Sequence, residues 1–262
     1  MEFTLNPALS FSGLLVGLLV GLTGVGGGSL MTPILVLLFG FKPATAVGTD
    51  LLYAAITKSG GGWVHHKHNN IDWQITWRLA LGSVPAAALS LFIIAHLEPA
   101  SKSTSHLITS LLGVALFLTA GSLIFRQHVL ALAKKYLKQN LSAQQVARRT
   151  TVVGAVVGSL VAFTSVGAGA LGVTALIFLY PQLEARRIVG SDIAHAVPLT
   201  FVAGFGHWWL GSVDFVLLLN LLLGSLPGIM LGSHFAVRVP ERRLRSLLAT
   251  VLMLVGAKLI LA

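Results

Sequence analysis

Two long apolar runs in this chain are each broken near the middle, and these breaks constrain the fold more than any other feature. Residues 9–40 are interrupted at Thr23-Gly24-Val25-Gly26-Gly27-Gly28-Ser29, and residues 150–180 at Thr164-Ser165-Val166-Gly167-Ala168-Gly169-Ala170. As single straight helices they would be roughly 46–48 Å long, well beyond a bilayer's hydrocarbon core. Each arm beside a break has only about 11–14 residues, short of the ~20 that a full span needs. The pattern predicts two helical hairpins or broken helices whose glycine-rich apices lie at membrane depth. Six unbroken apolar stretches, near 44–63, 73–96, 105–125, 188–206, 214–237 and 246–262, are long enough to cross.

Composition agrees with a membrane setting. The chain is 55% hydrophobic and 10% charged, with a mean hydropathy of +0.85, whereas soluble domains are roughly a quarter charged. Its 28 glycines suit close helix packing in lipid. There is no cysteine, so disulfides and thiolate metal sites are excluded. The net charge of +10 sits in short loops between apolar stretches. That is the mark of membrane topology and argues against a nucleic-acid partner. The first apolar stretch, from Leu9, has no basic region before it and reads as a membrane arm, not a cleavable signal.

The two halves are copies of each other. Residues 13–30 laid on 154–171 match at ten of eighteen positions, among them Gly13/Gly154, Gly17/Gly158, Thr23/Thr164, Gly26/Gly167 and Gly28/Gly169. A shift of 142 then pairs Gly48/Gly190, Asp50/Asp192, Gly62/Gly204, His65/His207, Asp72/Asp214, Gly82/Gly224, Ser83/Ser225 and Pro85/Pro227. Each half holds five segments, an odd number, so the second copy should run through the membrane upside down. The expected architecture is an all-α polytopic membrane protein forming one transmembrane domain over 1–262. Repeat one covers about 9–125, a linker 126–149 and repeat two about 150–262. Each repeat is a glycine-rich broken helix plus three transmembrane helices.

Charge sets the orientation. If 126–149 is cytoplasmic, so are 64–72, 181–187 and 238–245, and these loops and their borders hold all of the 18 Lys and Arg except Lys42, Lys58, Lys102 and Lys258. The positive-inside rule therefore places both termini outside, in a multi-pass protein of the cytoplasmic membrane.

The run Gly17 to Gly28, read as Gly-x-x-x-Gly-Leu-x-Gly-Val-Gly-Gly-Gly, resembles the first signature of the sulfite exporter TauE/SafE family. So do Ala46-Val47-Gly48-Thr49-Asp50 and the degenerate copies Val166-Gly167-Ala168-Gly169 and Val189-Gly190-Ser191-Asp192. The resemblance runs from about residue 10 to 262. It implies a polytopic transporter of small oxyanions or organosulfonates such as sulfite. The second apex departs from the pattern, with Ala168 and Ala170 where the first has Gly27 and Ser29.

The residues themselves also point to an anion. Broken helices expose N–H groups at the start of the second arm, which with the helix dipole favour a negative ligand. Thr23, Gly24, Gly26, Gly27, Gly28 and Ser29 at the first apex, with Thr164, Ser165, Gly167 and Gly169 at the second, are the candidate substrate-binding residues. The competing reading is that these glycines serve only helix crossing. Asp50 and Asp192 are the sharpest single residues, because an acid at the centre of a span costs about 2.5–3.5 kcal/mol on insertion scales. They could carry a coupling proton or cation, or they could cap helices near whose starts they fall. Thr49, Ser191, Lys58 and His195 are the other coupling or gating candidates. Lys58 is weighed against a snorkelling Lys, and His195 against a hydrogen-bonded core His. His65-His66-Lys67-His68 reads as an interfacial turn and not a metal site. No metal, cofactor or catalytic residue is expected.

The function expected is a secondary transporter moving a small anion by alternating access. Its partners would be that anion, a coupling proton or cation, membrane lipid and, as a candidate, a second copy of the chain. An anion channel or a non-transporting receptor is the alternative, and an intramembrane aspartyl protease using Asp50 and Asp192 is a further one.

Overall fold

The computed structural model describes residues 5–23, 28–97, 102–136, 142–235 and 241–261. Among these residues all regular structure is helical: α1 (Pro7–Thr23), α2 (Gly28–Leu37), α3 (Pro43–Lys67), α4 (Trp73–His96), α5 (Lys102–Tyr136), α6 (Ala143–Thr164), α7 (Ala170–Leu179), α8 (Ala185–Trp209), α9 (Phe215–Phe235) and α10 (Glu241–Leu261).

Local chemistry sets several of the helix ends. Pro43 opens α3, where its missing N–H would have no partner in any case. The Asp72 carboxylate accepts from the N–H groups of Gln74 and Ile75 at the head of α4. Asp214 accepts from the N–H of Leu217 at 2.9 Å at the head of α9. Ser142 and Gln145 form a reciprocal capping box on α6. α3 and α8 are followed by left-handed residues at matching positions, Asn69 (φ 54°) and Gly211 (φ 71°).

The tightest helix pairs join the two halves. α1 packs on α9, α4 on α6 and α3 on α8, while α5 packs on α10. A Cβ at Gly13 or Gly17 would strike the backbone of Leu221 or Ser225, and one at Gly154 or Gly158 that of Leu79 or Ser83. The two sets of contacts correspond position by position under the sequence shift. Such close approach supplies the van der Waals contact that holds helices together in lipid. α1 and α9 run in the same direction, with Ser10 against Gly224 and Leu18 against Gly232. α3 and α8 run oppositely, with Gly48 against His207 and Ser212, Gly61 against Ile193, and Gly190 against His65 and Asn70.

Among the described residues, six helices are long and apolar enough to cross a membrane: α4, Lys102–Arg126 of α5, α6, α8, Phe215–Gly232 of α9 and Leu244–Leu261 of α10. This set departs from expectation in one member. α3 has 25 residues, but Asp50, Lys58 and its His-Lys end lower its hydropathy, and α6 takes its place. The broken helices are also lopsided. α1 and α6 have 17 and 22 residues, and α2 and α7 have 10 each, so arms of near-equal length were the wrong expectation. The capping box at Ser142 starts α6 inside a polar stretch that hydropathy alone excludes. The linker expected over 126–149, with room in it for an interfacial helix, is largely taken up by the ends of two helices: α5 continues to Tyr136 and α6 begins at Ala143.

Trp63, Trp73, Trp77, Trp208 and Trp209 are all exposed. The first three lie where α3 gives way to α4, and the other two at the end of α8, which runs oppositely. That arrangement gives an aromatic group at either end of the bundle, as interfacial belts require.

Candidate functional site

The turn between α6 and α7 is the second glycine-rich apex, and its backbone accounts for its residue types. α6 is capped by Ser165, which adopts the left-handed conformation (φ 59°, ψ 4°) and returns its N–H to the Val161 carbonyl at 2.8 Å. Gly167 (φ 121°) and Gly169 (φ 134°) take backbone conformations that L side chains rarely adopt. Thr164 accepts from the Val166 N–H at 3.1 Å and donates to the Leu160 carbonyl at 2.6 Å, so its hydroxyl is committed to shaping the turn. Thr164, Ser165, Val166, Ala168 and Ala170 are all buried. This apex is therefore packed inside protein, the condition for irregular backbone at membrane depth.

A line of ionisable side chains from α3 and α8 runs beside the apex. Asp50 accepts from the Thr32 hydroxyl of α2 at 2.5 Å, and the Ser165 hydroxyl lies next to the same carboxyl. Lys58, two turns further along α3, donates to the Ala168 carbonyl at 3.1 Å. Asp192 of α8 lies against Gly172 of α7, where a Cβ would collide with its Oδ1. Because Gly61 meets Ile193, Asp192 stands about three helical turns along α3 from Asp50, with Lys58 between them. The lysine is close enough for its charge to act on both acids. Asp50 Oδ1, Ser165 Oγ and Asp192 Oδ1 are buried with no hydrogen-bond partner among the described residues. Two of these three face each other, because the Ser165 hydroxyl stands beside the Asp50 carboxyl.

Several expectations about individual residues change here. Neither acid caps a helix: the N-caps of α3 and α8 are Lys42 and Glu184, and both acids lie two turns further in. Asp50 instead makes an interhelical bond to Thr32. Thr49 and Ser191 point away from the apex. Each hydroxyl crosses to the other half and accepts from a backbone N–H, Asp214 N at 3.1 Å for Thr49 and Asp72 N at 2.8 Å for Ser191. His195 is hydrogen-bonded through Nε2 to Ser83 Oγ at 2.7 Å. His68 bonds through Nδ1 to the Val64 carbonyl at 2.9 Å, and Lys67 lies 3.7 Å above the Trp63 ring. Gly24, Gly26 and Gly27 of the first apex lie outside the described residues. Thr23 and Gly28 end α1 and begin α2, and Ser29 is buried in the first turn of α2. Thr32 and Gly172 were missed from sequence. Both belong to apolar short arms and only the fold brings them to the acids.

A bundle of apolar helices that shelters charged groups beside a broken helix is, as a class, a membrane transporter. The chain belongs to the sulfite exporter TauE/SafE family, which matches it over residues 9–259. It is 40% identical over 257 residues to the probable membrane transporter protein YjnA of Bacillus subtilis, covering 98% of this chain and all of that one. The probable membrane transporter protein YdhB of the same organism is 30% identical across 88% of this chain and 91% of its own. A probable membrane transporter protein of Methanocaldococcus jannaschii is 24% identical across 98% and 96%. No solved structure matches the chain significantly. The family and these relatives are membrane transporters and not enzymes, and the separation of Asp50 from Asp192 also removes the shared proton that an aspartyl protease pair needs.

Proposed function

We propose that this protein is a secondary transporter that carries a small anion, a sulfur oxyanion or organosulfonate such as sulfite, by alternating access. The observation that supports this most is Lys58 bonded to the carbonyl of Ala168. A cation at the turn where α7 begins, with the positive end of that helix's dipole beside it, favours an anion there. Lys58 would exchange the carbonyl for the substrate's oxygens. The N–H groups of the first turn of α7 and the Ser165 hydroxyl would supply further donors. Asp50 and Asp192 are then the groups that exchange a coupling proton or cation, since both carboxyls are buried and an acid in a membrane must be balanced.

The architecture supporting alternating access is a pair of inverted repeats, about 9–125 and 150–262. The equivalent helices α3 and α8 cross antiparallel, and each outer pair takes one helix from either half, so the two repeats share every major interface. A two-fold axis in the membrane plane gives that pattern. Charge bias puts the α5–α6 end in the cytoplasm.

A flux assay in proteoliposomes tests the reading, with sulfite, thiosulfate, sulfate, sulfoacetate and taurine presented separately. Saturable uptake of at least one sulfur anion, accelerated by the same anion preloaded on the other side, is the expected result. Flux that fails to saturate and shows no such acceleration would identify a channel. Binding without flux would identify a receptor.

A further inference from the structure

A second feature lies on the outer surface of the bundle, away from the charged line. A groove of about 880 Å³ runs between α5, α6 and α7. Its wall is apolar along its length and includes Leu118, Val152, Val156, Leu160, Leu171 and Phe178. Val152 and Val156 are 56% and 63% exposed, so the groove opens outward to the membrane. One end differs: Gln145, Arg148 and Arg149, all exposed, project from the first turns of α6.

We propose that this groove holds one anionic phospholipid, its phosphate at Arg148 and Arg149 and an acyl chain along α6. Length supports the assignment. From Arg149 to Leu160 is eleven residues of helix, about 16 Å, and one leaflet's share of the hydrocarbon core is about 15 Å. The groove thus spans from headgroup level to the depth where an acyl chain ends. Two neighbouring guanidinium groups give a phosphate forked, charge-assisted hydrogen bonds, and Gln145 adds an amide donor for a polar headgroup. Basic residues at the mouth of an apolar groove between membrane helices are the chemistry that selects an anionic over a zwitterionic lipid.

A second copy of the chain fits less well. A symmetric dimer across this groove would bring two pairs of arginines toward each other at the same membrane level. The feature also belongs to one half only. The positions on α1 that match Arg148 and Arg149 are Pro7 and Ala8, with no charge for a phosphate.

The groove reaches the apex. Leu160 and Leu171 line its inner end, and a Cβ at Gly167 would stand 3.3 Å from Leu160 and 3.6 Å from Leu171. A chain lying in the groove therefore presses on the two residues that pack over the strained turn. Occupancy holds that turn in place.

Native mass spectrometry of the purified full chain tests this, with phosphatidylglycerol and phosphatidylcholine of identical acyl chains supplied in equal amounts. The wild type should retain phosphatidylglycerol at least fivefold over phosphatidylcholine. The double variant Arg148→Gln/Arg149→Gln removes only exposed charge and should retain the two equally. Val156→Trp fills the groove and should lose the retained lipid of either kind. Arg186→Gln, an exposed arginine elsewhere, should behave as wild type. Absence of headgroup preference in the wild type, or a preference that survives the double variant, would overturn the assignment. So would a wild-type dimer that Val156→Trp dissolves with lipid retention unchanged, which would give the groove to a second copy. The outcome does not depend on which anion is carried.

Discussion

The Lys58 ammonium and the Ala168 carbonyl, 3.1 Å apart, join a helix of the first half to the broken helix of the second. The matching position on α8 is Thr200, whose hydroxyl bonds within its own helix to the Ala196 carbonyl at 2.8 Å. This bond makes the two sequence-matched positions unequal. It places a cation beside one apex, the one whose sequence departs further from the family's pattern.

If Lys58 is the counter-charge for the anion, its replacement should act on affinity before stability. Lys58→Gln keeps a donor for Ala168 but loses the charge, and anion affinity should fall by at least tenfold, in line with a charge-assisted hydrogen bond of about 1.5–3 kcal/mol. Lys58→Arg should keep much of the binding. Unchanged affinity in Lys58→Gln, measured by thermal shift or flux, would leave Lys58 only a tether for the turn.

The two acids should separate accumulation from exchange. Asp50→Asn and Asp192→Asn preserve size and hydrogen bonding but cannot titrate. At least one should lose uptake driven by a pH gradient while still exchanging labelled for unlabelled anion, because exchange needs no net proton movement. Gradient-driven uptake equal to the parent in both variants would make these acids structural.

Thr49 and Ser191 should matter for stability and not for transport. Each hydroxyl accepts from the backbone of the opposite half, so Thr49→Ala or Ser191→Ala leaves a backbone N–H without its partner. About 1 kcal/mol of stability should be lost for each. A thermal melt in detergent should drop by a few degrees with KM unaltered. A raised KM without a lower melting temperature would place these residues in the transport path instead.

Orientation can be read by labelling, since the chain has no cysteine. Ser103 at the start of α5 and Gln144 at the start of α6 are both exposed, and the span of α5 lies between them. Single cysteines there should react with an impermeant thiol reagent from opposite sides, Gln144→Cys from the cytoplasm. Labelling of both from one side would reject α5 as a crossing helix, and Gln144→Cys labelled from outside would reverse the orientation.

The glycine prediction separates the two roles glycine plays here. Gly158→Leu forces α6 off the Ser83 backbone of α4, so the protein should fail to accumulate in the membrane. Gly167→Leu meets only side chains at 3.3 Å or more but must adopt φ 121°. The protein should still insert, with transport abolished. Normal flux in Gly167→Leu would reduce that glycine to packing.

The sequence by itself determined the membrane class, the ten-segment plan, the matched residue spacing in the two halves and the resemblance to a transporter family. These follow from hydropathy, length and residue spacing, which are local or periodic properties and survive without coordinates. It also marked Asp50, Asp192 and Lys58, because a charge in an apolar stretch stands out wherever the chain goes. Only the tertiary structure decided what those charges meet. Asp50 and Asp192 look like a pair in sequence, yet antiparallel crossing of α3 and α8 sets them about three turns apart with Lys58 between. Thr49 and Ser191 look like part of the acids' motif, yet neighbouring residues on a helix point about 100° apart, and these two face the other half. Thr32 and Gly172 carry no sequence signal, because a hydroxyl or a missing Cβ in an apolar arm acquires a role only from the neighbour that packing brings to it. Which glycine meets which backbone is likewise fixed by contacts between helices far apart in the chain, and residue spacing within one segment holds no information about its partner.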